Sequence, residues 1–153
     1  MRDQTRRSRG FTLIEIMAVV LIIGLLGTIV GTAIFSQIDK ARATTAKAQI
    51  KQIEAALDFY RMDNGRYPTT EQGLDALVHA PTIEPLAHAY RPEGYLQGGE
   101  VPKDPWNGRY QYESPGTHNT YSFDLWTLGA DGAPGGEGTN SDIGNWSEEQ
   151  PSS

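Results

Sequence analysis

The chain contains no cysteine among its 153 residues. A disulfide framework and a thiolate metal site are therefore excluded, and with them the usual staple of a small exported domain. No Lys or Arg occurs after Arg109, whereas Glu113, Asp124, Asp131, Glu137, Asp142, Glu148 and Glu149 come later. Such a surface repels phosphate backbones, which argues against nucleic acid as a partner, and it attracts cations. His79, His88 and His118 are scattered without metal-ligand spacing. No nucleophile elbow, phosphate loop or paired-carboxylate motif occurs, so an enzyme is not expected. Proline is absent from residues 11–63, and all nine prolines lie from Pro68 onward.

What is present is unevenly spread. Residues 1–10 hold Arg2, Arg6, Arg7 and Arg9 against Asp3 alone, leaving 9 basic and 18 acidic residues for the rest. From Phe11 to Phe35 the only polar residues are Thr12, Glu15, Thr28 and Thr32. A basic segment before such a run favours a cytoplasmic N-terminus. The run is long enough to span a bilayer with some tilt. An ordinary secretory signal would have a shorter apolar region followed by a small-residue cleavage site; a plain anchor would have no use for Glu15. A carboxylate inside an apolar segment costs about 2–3 kcal/mol even on lenient insertion scales and so needs a partner. Cleavage after Gly10 would place an α-amine on Phe11, one helical turn from Glu15. That partner is either the chain's own amine or the amine of an adjacent subunit.

Beyond Phe35 the apolar residues become periodic. Ile38, Ala41, Thr45, Ala48, Ile53, Leu57 and Tyr60 recur at helical spacing, and Asn64-Gly65 is a stop signal. A helix over 11–63 is expected, roughly 80 Å long at 1.5 Å per residue. Lys47 and Lys51 stack four residues apart, as do Glu54 and Asp58. Like pairs at that spacing are mildly destabilising within one helix. The stripe is either a solvated face or one matched between subunits.

The remainder reads as a small α+β domain. Thr69 and Gln72 have capping-box spacing ahead of Leu74, Leu77 and Val78, which predicts a short second helix. Residues 80–100, with three Pro and three Gly, read as an irregular connection. Alternation over 109–113 and 121–125 predicts strands, joined by a turn at 114–119, in an antiparallel sheet of about three strands on the C-terminal half of the long helix. Leu57, Tyr60, Leu74, Tyr112, Phe123 and Leu125 are the core candidates. Residues 128–146 are rich in Gly, Asp and Asn. A stretch that long without secondary structure calls for an organiser. Asp131 and Asp142, with backbone carbonyls, are hard oxygen donors of the kind calcium prefers, though the spacing is not an EF-hand.

Gly10-Phe11-Thr12-Leu13-Ile14-Glu15 resembles the type III signal of type IV pilins and type II secretion pseudopilins. The resemblance implies that a prepilin peptidase cuts after Gly10 and methylates Phe11, and that Glu15 is the assembly residue. Ala55–Tyr60, Asp63–Pro68, Glu71–Leu74, Asp104–Trp106, Tyr110–Tyr112 and Leu128–Gly132 are similar to the major pseudopilins of type II secretion (the GspG family). With the leader, the likeness covers nearly the whole chain. It implies a calcium site in the last loop, with Asp131, Asp142 and the Leu128 carbonyl as ligands. Two departures stand out: Thr32 where the family often has Pro, and Trp106-Asn107-Gly108-Arg109 where it has Trp-Gly-Asn-Pro.

The expected organisation is a leader over 1–10, a transmembrane and assembly helix over 11–35, its amphipathic half over 36–63, a periplasmic domain over 64–146 with the calcium loop at 128–146, and a tail over 147–153. The expected function is that of a homo-oligomeric filament subunit, anchored in the inner membrane. It would polymerise into a periplasmic pseudopilus that drives export of folded exoproteins, together with minor pseudopilins, the prepilin peptidase, the inner-membrane platform and the assembly ATPase. The alternatives are a type IV pilin or minor pseudopilin, for adhesion, DNA uptake or filament capping, and a membrane-anchored binding domain that does not polymerise.

Overall fold

The computed structural model describes residues 10–146, and within the long helix it leaves the side chains of 28–36 undescribed. The basic leader up to residue 9 and the tail 147–153 lie outside the described residues. Two compact units divide between Ile38 and Asp39. The long helix from Asp39 onward therefore belongs to the globular unit.

Helix α1 runs over Leu13–Asn64, 52 residues, and its helical assignment is unbroken through residue 32. Nothing in the sequence interrupts it, and Ala, Leu and Ile dominate its interior. It stops where the sequence predicts: Gly65 adopts φ +75°, and its N–H donates to the Arg61 carbonyl at 2.7 Å. Among the described residues no helix is long and apolar enough to cross a membrane. The side chains of residues 28–36, which complete the expected span, are outside that description.

In the globular unit, α1 buries Ala46, Ile50, Ile53, Leu57, Tyr60 and Asn64, spaced alternately by four and three residues. The expected face over Ala41, Thr45 and Ala48 is instead exposed. The helix carries two apolar stripes, and the sequence periodicity merges them. The charged stripe is also partnered within the chain. Lys51 Nζ lies 2.7 Å from Glu54, and the Tyr67 hydroxyl donates to Asp58 at 2.7 Å. Intrachain contacts thus already relieve the like-charge stacking.

The capping box forms as predicted: Thr69 N–H donates to Gln72 Oε1 at 3.0 Å, and Gln72 N–H donates to Thr69 Oγ1 at 3.2 Å. It heads a turn, however, and not an α-helix. The expected short second helix follows as a 3-10 helix, Leu74–Leu77, entered through Gly73 at φ +58°. Gln72 has a second use, since its Nε2 donates to the Ile83 and Pro85 carbonyls at 2.9 Å each. The irregular 80–100 segment is tied to the end of α1. Arg91 pairs with Asp63 at 2.5 Å, Ala89 N–H donates to Asn64 Oδ1, and Tyr60, Tyr90 and Tyr95 pack ring against ring.

Three short strands, β1 (Gln111–Glu113), β2 (Asp124–Thr127) and β3 (Ile143–Gly144), form one antiparallel sheet in the order β1-β2-β3. β2 begins later than the 121–125 alternation suggests: Tyr121 is fully exposed in the preceding turn. β3 lies in the Gly-rich stretch and carries no alternation that a sequence could show. Phe123, Leu125, Tyr110 and Ile143 pack with Ile50, Ile53, Leu57 and Tyr60 in one core. All six predicted core residues belong to it, with Tyr112 partly buried at its edge.

Candidate functional site

The residues singled out in the sequence fall in two places, one in each unit. At the N-terminus, Gly10 and Phe11 are exposed ahead of α1. Thr12 caps the helix. Glu15 N–H donates to Thr12 Oγ1 at 3.3 Å, and Thr12 N–H donates to Glu15 Oε2 at 3.4 Å. Thr12-x-x-Glu15 is thus a capping box, a second role for Glu15 that its place in an apolar run hides. The carboxylate lies in the first turn, where the helix dipole favours negative charge. Its donor is the N–H of Thr12, the residue after Phe11.

The second place is the loop that joins β2 to β3. Thr127 pairs with Ile143, so the next antiparallel step sets Leu128 against Asp142 at the loop's mouth. The Ala130 N–H closes it by donating to the Thr139 carbonyl at 3.0 Å. Gly129, at φ +68°, sits so close that a Cβ would lie 2.9 Å from the Thr139 and Ser141 carbonyl oxygens. Only glycine fits there. Asp131 is exposed, and its Oδ1 accepts the Ala133 N–H at 3.1 Å. Asp142 Oδ2 accepts the Gly135 N–H at 3.0 Å. Asp142 Oδ1 is buried and has no hydrogen-bond partner among the described residues.

A buried anionic oxygen without a donor is costly. A hard cation beside it, with further carbonyl and carboxylate oxygens, relieves that cost, so the donor set fits calcium. Leu128 and Asp131 also line a recess of about 340 Å³ with Asp104, Trp106 and Arg109, and Asp142 is not part of its wall. Leu128 and Asp131 thus share the wall of one recess, and Asp142 lies outside it. Among the described residues no group of three or more His, Asp or Glu side chains is placed to hold a metal.

Sequence reasoning missed the network at the opposite end of the β2–β3 pair. Asp124 is almost fully buried and accepts hydrogen bonds from the N–H groups of His118 and Asn119, from the Asn119 amide, and, at 2.9 Å, from His118 Nδ1. Burial pushes its carboxyl up, but the His118 and Asn119 donors outweigh that and hold it below the usual carboxylate range. The His118 ring stacks on Trp146 with centroids 4.0 Å apart. Asn145 extends β3 by imitation: its N–H donates to the Leu125 carbonyl, and its Oδ1 accepts the Leu125 N–H at 3.0 Å. On the other side, buried Asp104 gathers the Trp106 and Gly108 N–H groups and the Thr127 hydroxyl. The Asp104-Pro105-Trp106 stretch is part of the family resemblance, but nothing local in it marks Asp104 as a partner of β2.

The family description for protein G of the type II secretion system matches residues 33–146, and that for the prokaryotic N-terminal methylation motif matches residues 5–31. The type II secretion system core protein G of Pseudomonas aeruginosa is 50% identical over 143 residues, covering 94% of this chain and 98% of that protein. The chain belongs to the type II secretion system protein G family. The protein G of Vibrio cholerae is likewise 50% identical over 141 residues, covering 92% of this chain and 93% of its own. The crystal structure of the major pseudopilin from the type 2 secretion system of enterohaemorrhagic Escherichia coli superposes with a TM-score of 0.62 at 45% identity, covering 71% of this chain and 89% of that one. The protein G match spans the loop, the sheet and the C-terminal half of α1. Nothing favours the type IV pilin or minor pseudopilin readings over it.

Proposed function

We propose that the chain is the major pseudopilin subunit of a type II secretion system, polymerising into a periplasmic pseudopilus that drives export of folded exoproteins. The observation that carries this is the 50% identity to a core protein G across 94% of this chain and 98% of the relative. Residues 11–35 enter the inner membrane with the leader in the cytoplasm, by the length of the apolar run and the four arginines before it. A prepilin peptidase cuts between Gly10 and Phe11 and methylates Phe11. The new amine replaces the peptide link to Gly10 beside the Thr12–Glu15 capping box. The carboxylate is then one turn from a positive charge, its own or a neighbour's. The chain acts as a subunit and not as an enzyme. Its partners are further copies, minor pseudopilins, the peptidase, the inner-membrane platform and the assembly ATPase.

The β2–β3 loop holds calcium through Asp131, Asp142 and the Leu128 carbonyl, in place of a disulfide. Bound calcium would supply positive charge to the lone Asp142 oxygen and tie the two ends of the loop together. The chain's own residues prepare for it: Gly129 allows the close approach of 139–141, and the Thr127 hydroxyl, bonded to Asp104, anchors the strand end from which the loop leaves.

Two measurements test the reading. Mass spectrometry of the subunit from its native membrane should show an N-methylated Phe11 terminus, and Glu15→Ala should abolish exoprotein secretion; an intact leader, or normal secretion by the variant, refutes the filament role. Thermal unfolding of the full chain in detergent should shift upward with calcium, by about 2.7 kcal/mol of stability at a hundredfold excess over Kd, and Asp142→Ala should remove the shift. Identical curves with calcium and with chelator remove the metal from the proposal and leave the filament standing.

A further inference from the structure

Where the irregular 80–100 segment folds over the end of α1, three buried polar groups are left without partners. Tyr60 has no surface in solvent. Its hydroxyl, the Tyr90 hydroxyl and Arg66 Nε are all buried and accept or donate no hydrogen bond among the described residues. The Tyr60 and Tyr90 rings meet edge to face, with centroids 6.5 Å apart. Arg66 approaches from just past the helix end, where its Nη2 donates to the Leu86 carbonyl at 2.6 Å. Burial raises the pKa of the Tyr60 hydroxyl, and the positive charge of Arg66 acts against that rise, so the two groups feel each other. Burial likewise pushes the Tyr90 hydroxyl up to about 12, with Tyr95 and Tyr60 adding to the effect.

The surrounding groups are engaged elsewhere. Asp63 takes two bonds from Arg91, and Glu84 accepts the Leu86 N–H at 3.0 Å. Among the described residues no carboxylate lies within ion-pair distance of Arg66. The Tyr95 hydroxyl donates to the Ala89 carbonyl, and the Tyr112 hydroxyl to the Pro68 carbonyl. What remains is three donors and one positive charge, half-buried and without a counter-charge. Such a charge is costly unless it is paired. A water molecule accepts two hydrogen bonds and brings two protons of its own, so one of the three donors would stay unpaired. An anion accepts from all three and neutralises the guanidinium. Because each of the three atoms is sealed from solvent, the occupant is small.

We propose that the Tyr60 hydroxyl, the Tyr90 hydroxyl and Arg66 Nε form a binding site for a halide-sized anion, which ties the segment after Ala80 to the end of α1. The site stands apart from the calcium loop and from the Glu15 end of the helix. Thermal unfolding of the full chain in nonionic detergent tests it, with calcium and ionic strength held constant. Replacing sodium isethionate by sodium chloride should raise the melting temperature saturably, as a ligand of the folded state does. Tyr90→Phe keeps the ring against Tyr60 and removes one donor, so the half-saturating chloride concentration should rise at least threefold. Arg66→Gln removes the charge and should abolish the chloride shift. A readout without unfolding is the chloride nuclear magnetic resonance line, which should broaden with the parent chain, sharpen again on adding bromide, and broaden less with Tyr90→Phe. Equal melting in chloride and isethionate, with no excess linewidth, overturns the site and assigns the three groups to water. A chloride shift of the same size and midpoint in Tyr90→Phe as in the parent is a general salt effect and overturns it as well.

Discussion

Asn145 should be worth more to this fold than its place in a glycine-rich, weakly structured stretch suggests. β3 has only two residues, yet the sheet continues one step further because the Asn145 amide stands in for backbone. Its Oδ1 takes the N–H of Leu125, a residue with no solvent exposure, and its Nδ2 donates to the Phe123 carbonyl at 3.1 Å. Asn145→Ala leaves the Leu125 N–H buried and unpaired, which costs about 1–3 kcal/mol, and it loses the bond to Phe123, worth about 1 kcal/mol more. The Phe123 carbonyl is not orphaned, since the Asn119 amide still reaches it at 3.2 Å. The expected total is about 2–4 kcal/mol. Urea unfolding followed by tryptophan fluorescence reads this directly, because Trp106, Trp126 and Trp146 all lie in the globular unit. With an m-value of about 2 kcal/mol per molar, the midpoint should fall by about 1–2 M. A fall under about 0.3 M at unchanged m would refute the reasoning, since the Leu125 N–H would then have found another partner or never have been dry. Asn145→Asp keeps the acceptor and should lose less. Its loss should grow as pH rises, because a second carboxylate would share the Asn119 amide with Asp124.

The same network carries two more expected outcomes. Asp124 has a depressed carboxyl in the folded chain, so its contribution is fully present above the ordinary carboxylate pKa of about 4 and is lost as pH falls below it. Asp124→Asn should cost about 3 kcal/mol at neutral pH and flatten the acid limb of the stability curve, both measured by urea midpoints across pH; a variant with an unchanged acid limb would assign that limb to other groups. Gly116→Ala should cost about 3 kcal/mol, because a Cβ there would sit 2.6 Å from the Asp124 carboxyl carbon and 2.7 Å from its backbone nitrogen. A midpoint within the error of the parent would show that the 114–119 turn can move aside.

Much of this protein is legible in one dimension because the relevant signals are local. The basic leader, the Phe11–Phe35 run, the Asn64-Gly65 stop and the Thr69–Gln72 box are each contained within a few residues or one unbroken period. The core set from Leu57 to Leu125 was also legible, since large apolar residues in a polar sequence have few other places to go. Tertiary structure alone decided which face of α1 is covered. Two apolar stripes share the helix, and periodicity says that faces exist without saying which one the domain will claim. It also decided that the short second helix after the Thr69 box would be of the 3-10 kind, entered through the positive φ of Gly73. It drew β3 from a stretch without alternation, because pairing with β2 and the Asn145 side chain supply what a two-residue strand lacks. Partnerships across long loops, such as Asp104 with Thr127, Asp63 with Arg91 and Asp142 with the Gly135 N–H, depend on the folded path of the backbone. A sequence names the donors and acceptors; only the closed chain sets them within reach.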